Sequence, residues 1–277
     1  MKLKQLRLYF VLGIASIVHA QENSAVFMSL SNQPTKDITI SKTELSIKYL
    51  KPNHSMYEIS TSFNFKMEQI NYSMFGSNAN YQNKQFQSIG NTFLLKYKKN
   101  KKVNYKITLE PTLLYEKAVK LSDFYLFGMI ETDLLFDEKN QFTIGILRST
   151  IFGKPSFLPK FTYNYLYNKK IKIGIGFPDS SFQFIPNTNN IFSLNNSFNG
   201  TFYNTYSEVY KNSKASFSQM TSTFEYQKKF DNNWFVIGKL GYDFNKKYQL
   251  LDSDLNTKLD FAINDSFNFG ITIKYKY

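Results

Sequence analysis

The sequence predicts an all-β fold: an antiparallel transmembrane β-barrel that follows a cleavable signal peptide. Three observations predict it: a short apolar segment behind basic residues at the N-terminus, alternating apolar and polar residues along the rest of the chain, and a final strand that ends on an aromatic residue. Side chains alternate between the two faces of a strand, so such segments have one apolar and one polar face. We expect about 10 to 14 strands, with about 12 as the central value, because one crossing takes about 9 to 11 residues.

The N-terminus has the composition of a secretory signal peptide. The apolar run 8–18 follows three basic residues and is too short for a membrane-spanning helix. The expected cleavage site lies between Ala20 and Gln21, and the absence of a following Cys argues against a lipid-anchored N-terminus. The predicted organisation is a signal peptide at 1–20, an N-terminal lead-in at 21–42 and an outer-membrane β-barrel at 43–277.

The composition agrees with a membrane barrel and excludes several other classes. The chain is 18% aromatic, with 28 Phe and 20 Tyr, although its mean hydropathy is negative. A barrel needs an apolar outer band and aromatic girdles but keeps every second residue polar. The chain has no Cys, which removes disulfide frameworks and thiolate metal sites. We expect no cofactor.

The strands follow one another without a domain boundary. Period-two segments separated by turns rich in Asn, Asp and Lys are typical of antiparallel hairpins. The clearest alternating segments are 57–68, 93–97, 103–115, 123–136, 142–146, 161–167, 171–177, 222–226 and 234–244. The clearest turns between them are 98–102, 137–140, 168–170 and 231–233.

The predicted turns, counted back from the C-terminus, do not face the sides of the membrane that are usual for a bacterial barrel. Such barrels have short periplasmic turns and longer outer loops. With a periplasmic C-terminus and a turn at Asn264-Asp265, counting back by hairpins places several short turns outside. Either the count is off by one strand, around 179–190, or the outer loops are small.

The last strand is expected to face lipid with one side and to carry the signal for insertion. Its polar or small positions alternate with an apolar row that consists of Phe267, Phe269, Ile271, Ile273, Tyr275 and Tyr277. A terminal strand of this form resembles the signal read by the barrel-assembly machinery. The expected partners are therefore outer-membrane lipid, that machinery and periplasmic chaperones.

The inward-facing row is predicted to be polar and charged. A wide lumen lined in this way forms an aqueous pore, whereas in a small barrel the same residues pair across the interior and fill it. The interpretation favoured by the pattern is solvated or salt-bridged lumen residues rather than a specific substrate site. The predicted inward charges are Glu58, Lys66, Glu68, Lys96, Lys106, Glu110, Glu131, Asp133, Lys172, Glu225, Lys239, Asp243, Lys274 and Lys276.

The segment 151–186 holds four of the seven prolines, which interrupt strand pairing because proline lacks an N–H. We expect rigid loops at the barrel rim, or a loop folded into the mouth. A functional interpretation makes some of its residues a polar contact site, and ordinary turn formation is the alternative. The residues concerned are Pro155, Pro178, Asp179, Ser180 and Ser181.

Enzyme and nucleic-acid functions are not supported. His54 is the one histidine beyond the signal peptide, it lies in a polar turn, and no Ser has a GxSxG context, so an acyl hydrolase is the weakest alternative. Removal of the signal peptide lowers the net charge from +13 to about +10, and almost every basic residue is Lys rather than Arg. No basic stripe points to nucleic acid.

The signal peptide, the hairpin meander, the segment 177–180 (Phe-Pro-Asp-Ser) and the terminal Tyr277 resemble an uncharacterised outer-membrane β-barrel family of Bacteroidota, a domain of unknown function. The resemblance implies an outer-membrane location and no catalytic residues. The expected role is a passive channel or a structural membrane component. The alternative is a surface barrel for ligand binding or adhesion, and the oligomeric state stays open.

Overall fold

A computed structural model describes residues 25–34, 38–51, 56–72, 83–117, 119–205, 213–261 and 263–276. These ranges form strands and one short 3-10 turn at Leu121–Asp123, and they contain no helix long and apolar enough to cross a membrane. The strands are β1 Ala25–Pro34, β2 Ile38–Lys51, β3 Tyr57–Tyr72, β4 Asn83–Lys98, β5 Val103–Tyr115, β6 Phe124–Leu135, β7 Asn140–Ser149, β8 Ser156–Asn168, β9 Ile171–Phe177, β10 Asp179–Asn187, β11 Asn190–Asn204, β12 Lys214–Lys229, β13 Trp234–Leu251, β14 Thr257–Phe261 and β15 Ser266–Lys276.

The strands close into an antiparallel ring. Each strand from β1 to β13 pairs with the next, and β15 pairs with both β13 and β1. Strand β14 pairs only with the last residues of β13, so the closed ring has 14 strands. The predicted all-β barrel is confirmed. The central value of 12 strands was wrong, and 14 lies at the upper limit of the predicted range.

The connections differ between the two ends of the barrel. Ala25 pairs with Lys276, so the first and last described strands meet at one end, here called the short-turn end. The connections at this end include 99–102, 136–139, 169–170, 188–189 and 230–233. At the opposite end, here called the long-loop end, the longest stretches of sequence separate the ends of consecutive strands, which are Tyr72 and Asn83, Tyr115 and Phe124, and Asn204 and Lys214. This is the usual arrangement of bacterial barrels.

The miscounted strand is therefore located at 245–265, and not around 179–190. Strand β13 runs from Trp234 to Leu251, and the hairpin turn follows at 252–256. Residues 264–265 only separate β14 from β15, which run in the same direction along β13. The barrel also begins earlier than predicted, because β1 and the start of β2 lie inside the segment 21–42 that was assigned to a lead-in. The predicted signal peptide, with Ala20 and Gln21, lies outside the described residues.

The two faces of the wall follow the alternation of the sequence. In β15, Phe267 is 66% exposed on the outer face, whereas the inward Thr272 is 4% exposed and its hydroxyl donates to Ser29 at 2.9 Å. The other outward residues Phe269, Ile271 and Ile273 are exposed as well. Tyr275 packs edge-on against Trp234, at 4.7 Å between ring centroids. Tyr277 lies outside the described residues.

Candidate functional site

The lumen is lined by ion pairs within strands and between nearby strands of the wall. Many of the predicted inward charges take part, together with Lys42 and Lys160. Paired charges of this kind keep a lumen polar without a large net field. The pairs are Lys66–Glu68, Lys106–Asp133 and Lys160–Glu131, each 2.9 Å, and Lys42–Glu68 at 3.4 Å, Lys96–Glu58 at 3.5 Å and Lys239–Glu225 at 3.5 Å.

One of these pairs depends on a glycine. Glu131, Gly145 and Lys160 lie in one row across β6, β7 and β8. A Cβ atom at Gly145 would lie 3.1 Å from Cγ of Glu131 and 2.3 Å from the carbonyl oxygen of Ile130. The glycine therefore leaves the space in which Lys160 reaches Glu131 across the intervening strand.

Near the long-loop end, Glu68 joins opposite walls of the barrel. Its carboxylate pairs with Lys42 and Lys66 of its own wall. It also accepts a hydrogen bond of 2.6 Å from the Tyr203 hydroxyl, which comes from β11. The Tyr203 ring stacks on Phe86 of β4, with 4.8 Å between centroids. Because charge-assisted hydrogen bonds are among the stronger ones, this contact holds β11 against β3 and β4.

The reason for this contact is that the ends of β11 and β12 fold into the mouth. Residues 198–204 and 213–217 are here called the mouth hairpin. Strand β10 pairs with β11 as far as Ser197, the Phe198 N–H still donates to the carbonyl oxygen of Pro178 at 3.3 Å, and beyond this point no described strand forms a ladder with β11 on that side. The outward row of β11, which is exposed at Leu194, becomes buried at Phe202 (2% exposed) and at Asn204.

The outward face of the mouth hairpin is covered by two segments of the wall. The Asn204 side-chain amide donates to the carbonyl oxygen of Ser122 at 2.9 Å, and Phe202 packs edge-on against Tyr125. From the β7–β8 loop, the Thr150 hydroxyl donates to the carbonyl oxygen of Gly200 at 3.1 Å. A Cβ atom at Gly200 would lie 2.1 Å from the Thr150 carbonyl oxygen, so this close approach requires glycine.

An apolar layer packs across the mouth, and β11 divides the lumen beneath it. The layer consists of Ile40, Ile70, Phe86, Leu114, Tyr203, Ala215, Phe217, Tyr248 and Leu250. Two cavities of about 300 and 230 Å³ share Lys66, Gly200 and Thr201 in their linings. A further cavity of about 380 Å³ lies at the short-turn end of β6 to β10. Strand β11 therefore separates two spaces of the lumen that a simple ring would join.

The proline-rich segment lies beside the mouth hairpin. Pro155 is the last residue of the β7–β8 loop, whose Phe152 packs against Phe177 and Phe198, with 6.0 and 5.5 Å between centroids. Pro178 forms the connection between β9 and β10.

The polar residues after Pro178 are not gathered into one site. The Ser180 hydroxyl donates to the carbonyl oxygen of Gly176 at 3.1 Å and accepts from the Gly176 N–H at 3.0 Å, which is a turn role. Ser181 lines the cavity at the short-turn end, and Asp179 does not line it. His54 lies outside the described residues.

Sequence reasoning missed the mouth hairpin, although a signal was present. Phe202 and Tyr203 are adjacent aromatic residues, so one of them must break the apolar-out pattern of a barrel strand. Within the described residues, no group of three or more His, Asp or Glu side chains is arranged to hold a metal ion.

The comparisons with known proteins agree with the architecture. Residues 100–276 match the family model of a domain of unknown function, DUF6268. No curated protein matches the chain. An outer-membrane channel of Pseudomonas putida F1 is 9% identical with a TM-score of 0.53, and the match covers 93% of this chain and 96% of that one.

Two further solved structures are similar. The deltaS2S3 mutant of the TodX monoaromatic hydrocarbon channel is 8% identical with a TM-score of 0.51, and the match covers 95% of this chain and 92% of that one. The KdgM porin in complex with disordered oligogalacturonate is 8% identical with a TM-score of 0.42, over 91% of this chain and 99% of that one. At such identities the first two show the fold alone, which is that of outer-membrane β-barrel channels.

Proposed function

The protein belongs to the DUF6268 family, whose model matches more than half of the chain, and we propose that it is a narrow outer-membrane channel for small polar solutes, closed at its long-loop end by the mouth hairpin. The observation that carries the proposal is a closed ring of 14 strands with cavities on both sides of the inward-folded β11, each lined in part by charged and polar side chains. The long-loop end is the extracellular end in this proposal, as in other bacterial barrels.

The chemistry of the lumen supports conduction once the hairpin moves. Ion pairs along the wall present charges and hydrogen-bonding groups that replace water around a solute. The apolar layer around Phe86, Tyr203 and Phe217 opposes this, because a narrow apolar constriction excludes water and therefore ions. Displacement of β11 would join the cavities of about 300 and 230 Å³, which it now separates.

The test is single-channel recording on the reconstituted barrel. Tyr203→Ala removes both the stacking on Phe86 and the hydrogen bond to Glu68, so we expect a larger open fraction than in the wild type. Tyr226→Ala is the control, because Tyr226 stacks on Phe192 and donates to Asn190 near the short-turn end, away from the mouth.

Correct folding is checked first by gel mobility in SDS with and without boiling, since closed barrels change mobility only when heated. A heat-shifted barrel that conducts neither as wild type nor as Tyr203→Ala refutes the channel proposal.

A second candidate function, passage of small apolar compounds through the wall, is favoured by one observation. An apolar recess of about 1080 Å³ on the outside of β5 to β8 shares Thr108, Gly128 and Arg148 with the interior cavity of about 300 Å³. Arg148 closes the border, because it donates to the carbonyl oxygen of Leu126 at 2.6 Å and lies over the Phe157 ring.

This candidate is tested with a fluorescent apolar probe. Ile146 lines the recess, so Ile146→Trp should lower probe retention by the purified barrel. The control is Ile271→Trp, on the outward face of another strand. Equal retention by the two variants contradicts lateral passage.

A further inference from the structure

Three inward lysines form a cluster at the short-turn end of the barrel. Ala25 of β1 lies between Lys48 of β2 and Lys276 of β15 in one row across the sheet. In the next inward row of β1, Phe27 is paired with Lys274. Lys48, Lys274 and Lys276 are here called the lysine cluster. Lys48 and Lys276 are exposed and Lys274 is half-buried, so solvent in the lumen reaches them.

The cluster differs from most of the other inward lysines because it is not paired with acid, and it shares this property with the single Lys172 of β9. Lys42, Lys66, Lys84, Lys96, Lys106, Lys160 and Lys239 each lie within 4.0 Å of a carboxylate. For Lys48, Lys274 and Lys276 the part of the chain that the structure describes supplies no such carboxylate. Three positive charges without an ion-pair partner among the described residues therefore lie close together at this end.

Two aromatic rings hold the central lysine in place. The Nζ atom of Lys274 lies 5.2 Å from the ring centroid of Phe27 and 5.5 Å from that of Phe235. Cation–π contacts of this kind position an ammonium group without neutralising its charge. The ammonium group therefore remains available to an anion that enters the lumen.

From this arrangement we infer that the lysine cluster forms an anion-binding site at the short-turn end of the lumen. This site gives the channel a preference for small anionic solutes such as phosphate-bearing or carboxylate-bearing molecules. A cleft lined by one sign of charge raises the local concentration of counter-ions, and lysine rings line anion-selective pores. The selectivity part of the inference rests on the proposed channel function. The binding part stands on the cluster alone.

The first test is the reversal potential of the reconstituted barrel in a KCl gradient. We expect an anion-selective potential for the wild type, or for Tyr203→Ala if only that variant conducts. The triple variant Lys48→Gln, Lys274→Gln, Lys276→Gln should shift the potential toward cation selectivity. The shift should be larger at low salt, because screening weakens the field of exposed charges.

The matched control is Lys228→Gln, which removes a lysine near the same end of the barrel. Lys228 is exposed and belongs to the outward row of β12 together with Phe224 and Tyr226, so it does not face the lumen. Its removal should leave the reversal potential unchanged. A conducting barrel that is cation-selective, or whose potential is the same in the triple variant, overturns the selectivity inference.

A second measurement does not depend on conduction. The acylation rate of each lysine is measured by mass spectrometry with and without inorganic pyrophosphate. Pyrophosphate should slow the acylation of Lys48 and Lys274 more than that of Lys228. Equal slowing of all three lysines overturns the anion-binding site at the short-turn end. An absence of conduction in every variant refutes only the channel.

Discussion

The hydrogen bond between Tyr203 and Glu68 offers a quantitative test of the closed mouth. Tyr203→Phe keeps the ring that stacks on Phe86 and removes only the hydroxyl, which lies 2.6 Å from Glu68 Oε2. The carboxylate keeps its pairs with Lys66 and Lys42, at 2.9 and 3.4 Å. The variant therefore isolates one contact between β11 and the opposite wall.

The magnitude follows from the charge of the acceptor. A hydrogen bond to a charged group contributes about 1.5–3 kcal/mol to stability. If the bond exists only in the closed state, its loss shifts the equilibrium between closed and open states by roughly 10- to 150-fold, since about 1.4 kcal/mol corresponds to a factor of ten. We therefore expect the open-to-closed ratio in single-channel records to rise by a factor in that range.

The control for this prediction is Tyr226→Phe, which removes a hydroxyl that donates to Asn190 at 2.7 Å near the short-turn end. It should leave the open-to-closed ratio unchanged. If Tyr203→Phe folds to the same heat-shifted barrel and gates like the wild type, the mouth hairpin is not the gate.

Three further predictions concern the fold. Gly200→Ala should destabilise the barrel by about 1–3 kcal/mol in urea titrations, because its Cβ would lie 2.1 Å from the Thr150 carbonyl oxygen. Gly238→Ala is the control, since a Cβ there meets nothing within 4 Å, and an equal loss in both variants would contradict the packing of the mouth. Tyr277→Asp should lower the amount of protein in the outer membrane, and unchanged amounts would disprove the insertion signal. In the β6–β7 turn, hydrogen bonds from the Asn140 side chain and from the Lys139 and Asn140 N–H groups lower the pKa of Asp137. A depressed pKa contributes stability that is present above the unfolded-state value and lost as pH falls through the folded-state value. The protection of the turn amides, measured relative to their intrinsic exchange rates, should therefore fall only in acid, and protection that does not change with pH would refute this.

The alternation of the strands could be predicted from the sequence, but the inward fold of β11 and β12 at the mouth could not. The outward row of β15 and most inward charges could be read from period two, because that pattern depends only on neighbouring residues. The strand count could not, because β13 continues to Leu251 past the end of its clear alternation and the hairpin turn follows only at 252–256.

The contact between Glu68 and Tyr203 could not be predicted from the alternation either. The two residues lie 135 positions apart in the sequence, and they meet only because β11 extends beyond the end of β10. Alternation predicts the face on which a side chain lies, but it does not predict which opposite wall that face reaches.

The positions of the apolar layer and the lysine cluster separate gating from selectivity. Tyr203 lies at the long-loop end and Lys274 near the opposite end, and no described contact joins them. Changes at distant sites without shared partners are additive. Tyr203→Phe should therefore change the open fraction without changing the reversal potential, and Lys274→Gln should do the reverse. In the double variant both effects should appear at full size. A reversal potential that moves with Tyr203→Phe alone would mean that the mouth hairpin itself selects the ion, and the lysine cluster would lose its assigned role.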